Sequence, residues 1–156
     1  MARQARLTRE QAFAELPAFL FRGDKHYRQG PLGIPLDSEE ALRADLQDPA
    51  EHVLRKEAGR TSIYSSFTAR WAVAARFADL RWIIKAKVQD LQRLEAAGQI
   101  RLLLPWDAYD LLRRSGPRLA KQAGPTRDYM LRNAEMLIEG QIPAKVMRKV
   151  KQKRRR

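Results

Sequence analysis

The sequence predicts an α+β domain, and three observations predict it. Segments with the roughly 3.6-residue apolar spacing of helices alternate with short β-branched and aromatic runs. Apolar residues make up 44% of the 156 residues, enough for one domain with a buried core. No apolar run approaches the ~20 residues needed to cross a bilayer, and the basic start Met1-Ala2-Arg3 lacks the apolar stretch of a signal peptide. The chain has no cysteine, which excludes disulfides, thiolate metal sites and cysteine nucleophiles. His26 and His52 are the only histidines and are poorly placed for a metal. The expectation is a cytoplasmic protein with no metal and no membrane association.

Taken in order, Thr8 and Gln11 have capping-box spacing, so a first helix is expected over Arg9–Leu16, ended by Pro17. Phe19–Arg22 reads as a short buried strand, and Lys25–Pro35, with Gly30, Pro31, Gly33 and Pro35, as a loop. Asp37 or Ser38 caps a helix through Ala41, Leu42, Asp45 and Leu46, and a further helical turn includes His52–Lys56. Thr61–Ser66 is strand-like, with Thr68 as N-cap of a helix over Ala69–Ala78. Trp82–Val88 alternates as a strand, Leu91–Ala97 is helical with Gly98 as its cap, Ile100–Leu104 is a strand and Trp106–Arg114 a short helix. Gly116, Pro117, Gly124 and Pro125 make Ser115–Arg127 a mobile connection. Ala134–Ile138 is the final core strand, and Ile142–Val150 is either strand or helix.

The net charge is +13, and its distribution matters more than its sum. Eight of the 31 cations fall between Lys145 and Arg156, where there is no Asp or Glu; the rest of the chain holds 23 cations against 18 acids. Such a tail, with the cluster Arg113, Arg114, Arg118, Lys121 and Arg127, points to a polyanionic partner, RNA or DNA; a solvated, solubilising terminus is the plainer alternative.

The sequence has no glycine-rich phosphate loop, nucleophile elbow, His-Glu-x-x-His or acidic metal cluster. An enzyme here must work with an arginine, a carboxylate and a few hydroxyls. Cleavage of the nicotinamide–ribose bond of NAD⁺ needs little more. The leaving group is cationic and departs neutral, so no general acid is required. A carboxylate that hydrogen-bonds a ribose hydroxyl supplies negative charge where the oxocarbenium ion develops, and an arginine fork clamps the phosphates.

Three short segments occur in this order: Phe21-Arg22-Gly23-Asp24; Ser66-Phe67-Thr68, followed by Val73-Ala74-Ala75-Arg76-Phe77-Ala78; and Glu135-Met136-Leu137-Ile138-Glu139-Gly140-Gln141-Ile142-Pro143. They resemble the mono-ADP-ribosyltransferases of the Arg–Ser–Glu class found in bacterial toxins and phage effectors. In that family an aromatic-Arg-Gly strand is followed by a Ser-Thr-Ser-like turn into a helix, then by a Glu that opens a late strand. The resemblance spans Phe19 to Pro143. It implies an ADP-ribosyltransferase-like fold, a split mixed or antiparallel β core with flanking helices, in a single catalytic domain over 1–150 followed by a basic tail at 151–156.

The resemblance also implies NAD⁺ as substrate, with Glu135, Ser66 and Arg22 catalytic and Arg22, Gly23, Tyr64, Ser65, Ser66 and Thr68 around the dinucleotide. Asn133, Arg127 and Phe67 are then expected at the acceptor. Two positions depart from the family pattern. Phe67 replaces the central threonine and offers a ring for a base, and Asn133 stands where arginine-modifying enzymes carry Glu. The departures and the charge favour a nucleic-acid acceptor, RNA before DNA. A protein acceptor or NAD⁺ hydrolysis on the same fold is the first alternative, and a non-catalytic RNA- or DNA-binding protein the second. A freestanding toxin of this kind calls for an acidic immunity or antitoxin partner. Phe21-Arg22-Gly23 is also similar to the Phe-Arg-Gly domain family of phage-defence proteins, but the late Glu favours the transferase.

Overall fold

The computed structural model describes residues 6–24, 27, 29–42, 49–54, 63–78 and 82–151. The sequence readings at His26, Asp45, Leu46, Lys56, Thr61 and the tail beyond Lys151 fall outside them. Six strands, β1 (Phe19–Gly23), β2 (Tyr64–Thr68), β3 (Trp82–Lys87), β4 (Ile100–Leu103), β5 (Glu135–Gly140) and β6 (Met147–Lys151), form one antiparallel sheet in the order β4-β5-β2-β1-β3-β6. The sheet is split in the middle. Four junctions carry four or five residue pairs each, whereas β1 and β2 share one, Phe21 opposite Thr68.

The helices are α1 (Arg9–Ala14), α2 (Glu39–Leu42), α3 (Pro49–Leu54), α4 (Trp71–Ala78), α5 (Val88–Ala96), α6 (Pro105–Arg113), α7 (Pro117–Ala120) and α8 (Ala123–Arg132). One sheet face buries Leu20, Phe67, Ile84, Ala86, Met136 and Ile138 beneath α1 and α5. Across β4-β5-β2, the other face buries Tyr64 and Leu137 against Val53 of α3, Ala108 of α6 and Met130 of α8. Across β1 and β3, that second face carries only α4, through Ala74 and Ala78 on Phe21 and Ile83.

Local signals account for much of this. The capping box forms: Gln11 N donates to Thr8 Oγ1 at 3.2 Å, and Thr8 N to Gln11 Oε1 at 3.0 Å. Ser38 accepts from Ala41 N at 3.1 Å to open α2. Gly98, at φ +76°, takes the left-handed turn that ends α5.

Two expectations are corrected. Ser115–Arg127 is no mobile connection but two helices and their joint. Gly116, at φ +97°, makes the break, while Pro117 and Pro125 lie in first turns, where no intrahelical partner for the missing N–H exists. The strand read as Thr61–Ser66 is described over Tyr64–Thr68, so Thr68 ends a strand and α4 begins at Trp71. Of the two readings of Ile142–Val150, the strand is found: after the 3₁₀ turn Ala144–Val146 the chain re-enters the sheet as β6.

Candidate functional site

At the split between β1 and β2 two of the sequence-predicted residues, Arg22 and Ser66, meet. Past the Phe21–Thr68 pair the strands part, and Arg22 bridges the gap by donating from Nη1 to the Ser66 carbonyl at 3.2 Å. Its Nε faces Asp24 Oδ2 at 3.4 Å, and Nη2 carries no hydrogen bond among the described residues. Arg22 is half-buried, and its guanidinium is held from two sides.

Ser66 Oγ lies 2.9 Å from His52 Nε2, the donor being set by the histidine tautomer. His52 also meets the ring of Tyr64 edge to face, with centroids 6.0 Å apart. Arg22, Ser66, His52 and Tyr64 are thus one connected group from three elements. Sequence reading took His52 only as an unsuitable metal ligand, and no local signal marks it. Its approach to Ser66 depends on where α3 docks.

Glu135 opens β5 opposite Thr68, and Leu137 stands opposite Ser66. Successive side chains alternate between faces, so Ser66, Thr68 and Glu135 share the face that carries Tyr64 and Leu137. Glu135 is 5% exposed. Its neighbour Ala134 adopts φ +46°, a left-handed conformation that costs an alanine about 1–2 kcal/mol. That turn lets the end of α8 feed directly into β5 and is tied down by Ala69 N donating to Ala134 O at 2.9 Å.

The remaining expected residues divide differently. Thr68 is buried and joins two elements, its hydroxyl donating to Asn133 O at 2.6 Å and accepting from Arg70 N at 3.1 Å. Asn133 ends α8, with Nδ2 donating to Tyr129 O at 3.1 Å. Gly23 has a packing role: a Cβ there would overlap the Ala74 carbonyl and lie 2.5 Å from Ala78 N, so it lets α4 rest on β1. Ser65 is buried on the opposite face from Ser66.

Two acceptor assignments meet the structure poorly. Phe67, expected to offer its ring to a base, is 1% exposed in the core cluster of Leu20 and Met136, because strand alternation turns it away from Ser66 and Thr68. Arg127 lies over Trp106 and Tyr109, 4.7 and 4.8 Å from their centroids, and pairs with Asp128. It fastens α8 to α6 by contacts worth about 0.5–1 kcal/mol each at exposed sites.

A cavity of about 470 Å³ lies at the end of the sheet where β5 begins, with Leu16, Leu20, Leu104, Trp106, Glu135 and Met136 in its wall. Arg22, Ser66, His52 and Tyr64 do not line it. Among the described residues no cluster of His, Asp and Glu could hold a metal ion.

Glu139, a second carboxylate on the same face of β5, stands opposite Tyr64 and 3.9 Å from Arg101. Burial pushes its pKa above the ordinary 4.5, and Arg101 opposes that only in part. A carboxyl raised in the folded state keeps protons that the unfolded chain has released. Its contribution therefore lowers stability as pH climbs from 4.5 through the raised folded value. Glu139→Gln is expected to remove that decline and raise the melting temperature at neutral pH, checked by thermal melts from acid to neutral pH. Equal melting temperatures at neutral pH would contradict the burial cost.

No protein-family model matches the chain, and it shows no significant similarity to a curated protein or to a solved structure.

Proposed function

We propose that this protein is an NAD⁺-dependent mono-ADP-ribosyltransferase, toxin-like, that transfers ADP-ribose to a nucleic-acid acceptor, RNA before DNA. One observation carries the reading. Arg22 and Ser66, 44 residues apart, meet across the split of the sheet, and Glu135 enters the neighbouring strand on the face that Ser66 shares. Residues in a fixed sequence order thus stand on three adjacent strands, which supports the resemblance, with Arg22, opposite Ile84, reaching the Ser66 carbonyl from the other face of the sheet.

In this reading Arg22 grips the NAD⁺ phosphates, and Ser66, steadied by His52, faces the nicotinamide ribose. The C1′–N bond breaks with its electron pair leaving on nicotinamide, which becomes neutral. Glu135 stabilises the cationic ribose through a sugar hydroxyl. The acceptor then forms its bond to C1′ and gives up its proton. No metal is needed at any step, and the cavity beside Glu135 supplies an apolar wall against water.

The test is incubation with labelled NAD⁺ and, separately, total RNA, DNA and lysate protein. Label on RNA is expected. Label on protein alone overturns the acceptor and keeps the chemistry, whereas absence of both label transfer and nicotinamide release overturns the enzyme.

A further inference from the structure

We propose that the open face of β1, β3 and β6 binds single-stranded nucleic acid, using a ladder of cations beside an exposed tryptophan. This goes beyond the transferase reading, since it rests on the sheet face alone and holds whether or not the chain splits NAD⁺.

The register places the ladder. Phe21 of β1 stands opposite Lys85 of β3, which stands opposite Arg148 of β6; Phe19 stands opposite Lys87 in the next row. The four side chains of β1 and β3 share the face carrying Phe21 and Ile83, where α4 covers only one end. Lys85 Nζ lies 4.5 Å and Lys87 Nζ 6.0 Å from the centroid of Phe19. At the α4 end, Trp71 meets Phe21 edge to face at 5.2 Å and is still 40% exposed.

Among the described residues nothing on this face neutralises the charge. β1, β3, β6 and α4 contain no Asp or Glu, and Lys85, Lys87 and Arg148 pair with no carboxylate among the described residues. Like charges directly opposite on paired strands, as at Lys85 and Arg148, destabilise a sheet. Protection of an edge strand explains a cation on β6, but β3 is not an edge: it lies between β1 and β6. A bound polyanion resolves the repulsion.

The aromatic component narrows the partner. An indole fixed by Phe21 and open on its outer side offers a base a stacking surface, and stacking requires an unpaired base. Lys85 and Lys87 follow one another along β3 with Arg148 beside Lys85, a patch for the phosphates that follow. Duplexes present no open base face, so the arrangement favours a single strand.

The test is fluorescence anisotropy of the full chain, without NAD⁺, on a short labelled uridine-rich RNA, its DNA counterpart and a duplex of equal length. Wild type is expected to prefer the single strands, RNA and DNA alike if phosphate and stacking suffice. The double variant Lys87→Glu/Arg148→Glu, both positions exposed, should bind at least about tenfold more weakly, with the log–log salt slope reduced by about 0.7 per cation lost. Trp71→Ala should cost about fivefold or more with the salt slope kept, and Trp71→Phe should restore most of it. Melting temperatures near wild type for these variants confine the effect to binding. Two results overturn the proposal: double-variant binding equal to wild type in affinity and slope, which assigns all affinity to the tail, or equal duplex affinity with a silent Trp71→Ala.

Discussion

Glu135→Gln is expected to cut NAD⁺ turnover by about 100-fold or more, the size of effect seen when one fixed electrostatic contact to a transition state is removed. The substitution keeps shape and removes charge. Glu135 is 5% exposed at the first position of β5 and paired in register with Thr68, so a glutamine of the same length fits the same space. A neutral amide still hydrogen-bonds a ribose hydroxyl but supplies no negative charge to the cationic sugar. The melting temperature should therefore stay close to wild type while turnover falls.

Glu139→Gln separates this carboxylate from its neighbour. Glu139 lies on the same strand face beside Tyr64 and Arg101, and its replacement should leave turnover near wild type. Nicotinamide release measured on both variants decides between them. Wild-type turnover in the Glu135 variant would falsify its role, and loss only in the Glu139 variant would move the catalytic charge along the strand.

The second large effect concerns packing. Gly23→Ala should destabilise the protein by about 3 kcal/mol or more, at the upper end of overpacking substitutions. Most added methyl groups find some relief because a neighbouring side chain turns away. Here the methyl meets the main chain of α4, at the Ala74 carbonyl, the Phe77 carbonyl carbon 2.9 Å away and the Ala78 nitrogen 2.5 Å away. Backbone in a helix cannot yield alone, so α4 must lift from β1 as a unit.

That shift would also disturb the site. Gly23 follows Arg22, and lifting α4 takes Trp71 away from Phe21, on the strand that aims the guanidinium across the split. Chemical denaturation measures the first effect, and NAD⁺ turnover below the denaturation range the second. A variant as stable as wild type would mean that α4 does not lie so close to β1.

At both Phe67 and Arg127 the surroundings differ from the sequence reading because the element around the residue does. A strand ended at Ser66 leaves Phe67 in a turn with its ring free for a base. Two further residues of strand put Phe67 into the period-2 alternation, and it turns into the core while Ser66 and Thr68 face the other way. Arg127 was read as part of a charged loop. Once Gly124 and Pro125 are recognised as first-turn residues of α8, it becomes a helix residue stacked on the aromatics of α6.

What the sequence determined by itself is local. The Thr8–Gln11 capping box, the left-handed Gly98 and the β-branched and aromatic runs each act within a few residues, so the corresponding elements could be read directly. The order Arg22, Ser66, Glu135 was legible too, because residue type and sequence order survive without coordinates.

The tertiary structure alone decided which faces and edges meet. A single residue pair between β1 and β2 opens the split, and only that opening lets Arg22 reach the Ser66 carbonyl. His52 joins the site because α3 packs through Val53 onto the face that carries Tyr64, a contact without any sequence period. Arg148 likewise stands beside Lys85 only because β6 returns to pair with β3, setting cations from distant segments side by side. Such juxtapositions arise from burying apolar surface on both sides of the sheet, a demand on the whole chain that no short stretch of it encodes.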